Sequence, residues 1–232
     1  MSPRSRVSEE KSPWAKADGL VFLGVHVSWQ ARVSDLEYNT SLAERWEERF
    51  SDWDIDERVV KLNAPSDGYY VRLSDGHAEF RVESAVAYGH ALEHFRQLIE
   101  GLDRVRRQKR NVYIDAQYLL PVAEEFEALV KRLESSLLNT AFGLSLQAEM
   151  HDFAYLADFH RDGDSFQLNL GPVRAPEVRR RVAAKNLVTL PEVAIFYKVS
   201  SGRQASRGAH QLGAFVDHIF ELGRLVARRL SA

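Results

Sequence analysis

Apolar and polar positions along this chain alternate with two periods, close to two and close to 3.6, and each period predicts an element. Val21-Phe22-Leu23-Gly24-Val25-His26-Val27-Ser28-Trp29-Gln30-Ala31 is dense in strand formers and predicts a strand. Ser41 to Trp53 places Leu42, Trp46 and Phe50 at helical spacing among acids, which predicts a short amphipathic helix. Tyr69 to Leu73 and His77 to Val82 flank Asp75-Gly76, so they predict a hairpin whose glycine supplies the positive φ of a tight turn. Leu92, Phe95, Ile99, Leu102 and Val105 then line one face of a long helix.

The pattern begins again in the second half. Val112 to Tyr118 predicts a strand, and Phe126, Leu129, Val130, Leu133 and Leu137 mark a helix. Leu144, Leu146, Ala148 and Met150 alternate with polar residues as a half-buried strand does. Asp162-Gly163-Asp164 predicts a second hairpin turn between Phe153–His160 and Ser165–Leu170. Ala175 to Lys185 predicts a short basic helix opened by Pro176, Val193 to Val199 a strand, and His210 to Leu230 a long closing helix.

These elements predict an α+β protein of two similar strand-helix-hairpin-helix halves, with antiparallel sheets covered by helices on one face. His90, Leu92, Phe95, Ile99, Leu102 and Arg104 recur as His210, Leu212, Phe215, Ile219, Leu222 and Arg224, which points to internal duplication. Val25 to Gln30 and Val112 to Gln117 agree more loosely. The expected organisation is a mobile tail over 1–17, a first half over 18–108 and a second over 109–232. The halves form two sheets, or join edge to edge into one with pseudo-twofold symmetry.

Composition narrows the class. The chain has 232 residues, with 31 Lys plus Arg against 33 Asp plus Glu, so no polybasic binding surface runs along its whole length. Hydrophobic residues at 45% and charged ones at 28% fit a folded globular protein. The absence of cysteine excludes disulfides, thiolate metal sites and cysteine nucleophiles. No apolar run reaches the roughly 20 residues of a membrane span, and residues 1–19 lack a signal-peptide core, so the expectation is a soluble cytoplasmic protein. Arginine, at 24 residues against 7 lysines, fits a GC-rich bacterial coding sequence.

Candidate chemistry is sparse. His90 and His94 lie one helical turn apart, but Ala91 and Leu92 stand where a zinc-protease helix needs a glutamate. His151-Asp152 and Asp158 to Asp164 gather histidine and carboxylates, yet the latter stretch is accounted for by a turn. No nucleophile elbow, Walker loop or dinucleotide fingerprint is present. The sequence thus nominates no catalytic residue, no metal and no cofactor. Two basic features remain. Arg104, Arg106, Arg107, Lys109 and Arg110, with Arg179, Arg180, Arg181 and Lys185, would follow a phosphate backbone if they converge, or complement helix C-termini if they do not. The stretch Ser200 to Ala209 reads as a loop before the closing helix, where Arg203, Ser206, Arg207 and His210 offer an anion site.

The run from Phe80 through Tyr88, Phe95 and Ile99 to Val112-Tyr113-Ile114-Asp115 resembles a sporadically distributed bacterial family of uncharacterised proteins of about 250 residues, whose motif there is Leu-Arg-Tyr-Ile-Asn. Val193–Val199 and His210–Leu230 resemble that family's closing strand and helix. The resemblance covers about half the chain and implies architecture only, because the family offers no catalytic residues to transfer.

The leading expectation is a non-catalytic binding or assembly protein that presents a sheet or helix face to a protein partner or to itself. One alternative is an RNA-binding protein or endoribonuclease, since the tandem halves look similar to the paired ferredoxin-like domains of CRISPR RNA-processing enzymes. There His26, His151 or His160 would act as general acid or base, although Gly202 and Gly208 do not make that family's glycine-rich loop. A small-anion sensor using Arg203 and Arg207 is the other.

Overall fold

A computed structural model describes residues 19–30, 41, 44, 52–56, 59–64, 68–83, 97, 110–137, 152, 154–161, 164–181, 190–205 and 209–230. Among the described residues there are nine strands: β1 (Leu20–Ser28), β2 (Asp52–Asp56), β3 (Val59–Ala64), β4 (Tyr69–Ser74), β5 (His77–Val82), β6 (Arg110–Pro121), β7 (Tyr155–Arg161), β8 (Asp164–Arg174) and β9 (Val193–Ala205). The helices described along their length are α1 (Phe126–Leu137), α2 (Ala175–Arg181) and α3 (Ala209–Leu230). All nine strands join one antiparallel sheet in the order β2-β3-β4-β5-β1-β6-β9-β8-β7. The α+β class is therefore correct, and the two sequence halves meet in one sheet at the β1–β6 pair.

Outward from that junction, each half places its first strand, then its last, then the others in reverse. Among the described residues of the second half two strands separate β6 from β7, where a ferredoxin-like split β-α-β unit has one.

Strand parity sorts the side chains. Leu23, Val25 and Val27 of β1, Ala78, Phe80 and Val82 of β5, Ile114, Ala116 and Tyr118 of β6, and Ile195, Tyr197 and Val199 of β9 belong to one buried core. Helix α1 adds Leu129, Val130 and Leu133 to it, and α3 adds Phe215, Val216, Ile219 and Phe220. The opposite face of the sheet is polar over its middle. At one end it turns apolar, where Phe22, Leu119, Val173, Ala194 and Phe196 pack with Val178 of α2.

Both expected hairpins pair. Gly76 sits at φ 67° between β4 and β5, and Arg161 pairs with Asp164 across the second turn. Two expectations change. Residues 52–56, at the end of the expected Ser41–Trp53 helix, are strand β2, although Ser41 and Glu44 are helical. The expected Ser200–Ala209 loop is mostly strand: β9 runs on to Ala205 because β6 pairs with it throughout, from Pro121↔Ala194 to Arg110↔Ala205. Tertiary pairing overrides the loop preference of Ser-Ser-Gly. The expected tail, the Leu144–Met150 strand, and Tyr88, His90, His94, Arg104, Arg106, Arg107, Lys109 and His151 lie outside the described residues; Gln97 is the one described position of the expected helix from Leu92 to Val105, and it is helical. No helix among the described residues is long and apolar enough to cross a membrane.

Candidate functional site

Every second residue of the central strands contributes to the polar face, and antiparallel register lines these residues up in rows across the sheet. One row runs Lys61, Arg72, Glu79, His26, Tyr113, Gly202 over β3, β4, β5, β1, β6 and β9. The next runs Asn63, Tyr70, Arg81, Gly24, Asp115, Ser200, Gln167, Asp158, and extends to β7.

At the centre, His26 stands between two carboxylates. Its Nδ1 is 3.8 Å from Glu79 Oε1 and its Nε2 is 3.8 Å from Asp115 Oδ1. Both carboxylates are buried, Glu79 being 5% and Asp115 6% exposed, and burial of a carboxylate requires a partner. Arg81 Nε donates to Glu79 Oε1. Lys198 Nζ lies 3.3 Å from Asp115 Oδ2, and Gln117 Nε2 donates to the same oxygen at 3.4 Å. Gly24 supplies the room: a Cβ there would meet Asp115 Oδ1 at 2.5 Å and the Phe22 ring at 3.1 Å.

Three aromatic rings complete the centre. His77 and Tyr113 each lie 5.9 Å from the His26 ring, centroid to centroid, and Tyr113 is 42% exposed. The Arg81 guanidinium lies 5.5 Å from the Tyr70 ring centroid. Burial and then the Glu79 carboxylate push the Tyr70 phenol up to about 12. Burial, followed by the neighbouring His26, lowers the pKa of His77, which favours its neutral imidazole.

The residues nominated from sequence do not gather here. Arg203 lies on β9 and faces the helical side, with its guanidinium 4.2 Å from the Phe215 ring centroid and 3.8 Å from Asp164 Oδ2. Arg179, Arg180 and Arg181 are exposed on α2, and Arg181 reaches to 4.0 Å from Asp152 Oδ2. His210 lies in the first turn of α3, and Ser206, Arg207 and Lys185 lie outside the described residues. His160 Nδ1 is engaged with Ser165 Oγ at 2.8 Å, and Asp158 accepts from Gln167 at 3.1 Å.

Sequence reasoning missed Glu79, Asp115, Arg81 and Lys198, and met His26 only as one of three histidines for an alternative reading. Their positions along the chain carry no motif, because the group is assembled by register across β5, β1, β6 and β9. The only signal available was parity, which puts these polar side chains on the phase opposite the core residues of their strands. The chain matches no family model and no curated protein.

Proposed function

We propose that this is a non-catalytic binding and assembly protein that presents the polar face of its sheet to a protein partner, in the first instance a second copy of itself. The observation that carries this reading is Tyr113, an exposed aromatic at the centre of a face whose two buried carboxylates are already paired with cations. Exposed tyrosine amid well-held polar groups is the composition of protein–protein contact surfaces. The pairing of Glu79 with Arg81 and of Asp115 with Lys198 leaves the centre without one dominant sign of charge, which suits a protein partner better than a phosphate backbone.

The same reading includes duplication, with each half burying one sheet face beneath its own helices. The mirrored strand order supports it: β1, β5, β4, β3 leave the junction on one side and β6, β9, β8, β7 on the other. The directly opposed pair His26↔Tyr113 marks the pseudo-twofold centre, and those two residues also correspond in the alignment of Val25–Gln30 with Val112–Gln117. Among the described residues, strand β2 and helix α2 have no counterpart in the other half.

Light scattering on the wild type and on Tyr113→Glu with Arg72→Glu tests the assembly. The expected result is a wild-type dimer and a folded, monomeric variant. A wild type that is monomeric at every concentration, or a variant that still dimerises, contradicts it.

A further inference from the structure

We propose that His26, His77 and Glu79 bind a divalent transition-metal ion, on grounds independent of the assembly reading. One ligand atom from each of the three lies within 4.8 Å of the other two. Closing that spacing onto bonds of about 2.0–2.2 Å takes small side-chain rotations, while the backbone stays as the sheet fixes it. The backbone is already suitable: His26 and Glu79 are directly opposed on β1 and β5, and His77 precedes Glu79 by two residues and so shares its face.

The donor set names the class of ion. Two imidazoles and one carboxylate suit zinc and its neighbours, cobalt and nickel, whereas magnesium and calcium prefer an all-oxygen shell. Three protein ligands leave at least one position for water. The surroundings resemble an outer shell. With Nδ1 of His26 turned toward Glu79, its Nε2 faces Asp115, and an imidazole whose far nitrogen faces a carboxylate is the usual arrangement behind a bound metal. Asp115 is itself held by Lys198 and Gln117, so it is fixed rather than free to swing. Arg81 donates to Glu79 Oε1, the same oxygen that His26 Nδ1 faces, and a carboxylate has lone pairs enough for both a guanidinium and an ion. The two histidines are partly exposed, which gives the ion an approach from the polar face.

The test uses the full chain stripped with a chelator and titrated calorimetrically with zinc, with magnesium as the comparison. Expected are one equivalent of zinc bound, no response to magnesium, and a higher Tm with zinc present. His77→Asn and Asp115→Asn should each weaken zinc binding about tenfold or more, while His160→Asn leaves it unchanged. X-ray absorption of the zinc-loaded wild type gives a reading that does not depend on variant folding, and should report two imidazole nitrogens. Absence of stoichiometric zinc binding, binding that survives His77→Asn, or fewer than two imidazoles would overturn the proposal.

Discussion

Tyr118 shows how tightly one side chain can be specified. Its ring stacks on Tyr197 with centroids 4.5 Å apart and planes parallel, and both rings lie against Gly223 of α3. Tyr197 Oη donates to the Gly223 carbonyl at 3.0 Å. The Tyr118 hydroxyl is buried with no hydrogen-bond partner among the described residues, and that burial pushes its pKa well above the ordinary value for tyrosine. A Cβ on Gly223 would occupy the space of the Tyr118 phenol. Gly223→Ala is therefore expected to cost about 1–3 kcal/mol through overpacking. Tyr118→Phe removes an unsatisfied hydroxyl and should be neutral or stabilising, whereas Tyr197→Phe gives up a made bond worth about 1 kcal/mol. Urea denaturation of the three variants checks the order; a Tyr118→Phe protein less stable than Tyr197→Phe would contradict it. The burial of Tyr118 was legible in the alternation of β6, but its contact with Gly223 was not, since nothing local in the sequence links the two.

At the scale of elements, local chemistry and pairing divide the credit. The β4–β5 hairpin was legible because Asp75-Gly76 encodes its own turn, and α1 because its apolar residues keep helical spacing. The end of β9 was not, because Ser200 to Arg203 becomes strand only by meeting β6. Residues 52–56 behave likewise: an acidic stretch that continues a helical pattern is drawn into the sheet by β3. Arg132 joins two elements that the sequence leaves unrelated. Its Nε and Nη2 donate to Glu124 Oε1 at 2.9 and 2.7 Å, and its Nη1 donates to the Leu230 carbonyl at 2.9 Å. A cation at the C-terminus of α3 satisfies a carbonyl that the helix cannot. Because the guanidinium is partly exposed, Arg132→Ala should cost only about 1 kcal/mol, and Arg132→Lys, which keeps the charge without the fork, somewhat less. Hydrogen exchange should show the last turn of α3 opening first in Arg132→Ala; unchanged protection there would remove this role.

The described strands form a single sheet built outward from the β1–β6 junction, and its polar centre exists only because that junction forms. Asp115 comes from the second half, whereas His26 and Glu79 come from the first, so the candidate site spans the proposed duplication. The α+β class was legible from the two rounds of strand and helix. Whether the halves made one sheet or two was not, because edge-to-edge joining depends on long-range register that no local pattern records. Nor was the site, for the same reason: its residues are near in the sheet and far apart in the chain. The central claim is that the polar face, with Tyr113 at its middle, joins protein to protein rather than protein to nucleic acid. Native mass spectrometry of freshly purified protein over a series of salt concentrations tests it most directly. The prediction is a symmetric dimer of the bare chain that persists as salt rises. A monomer carrying nucleotide or RNA that is lost with increasing salt would contradict it, and would move attention to the basic residues of α2.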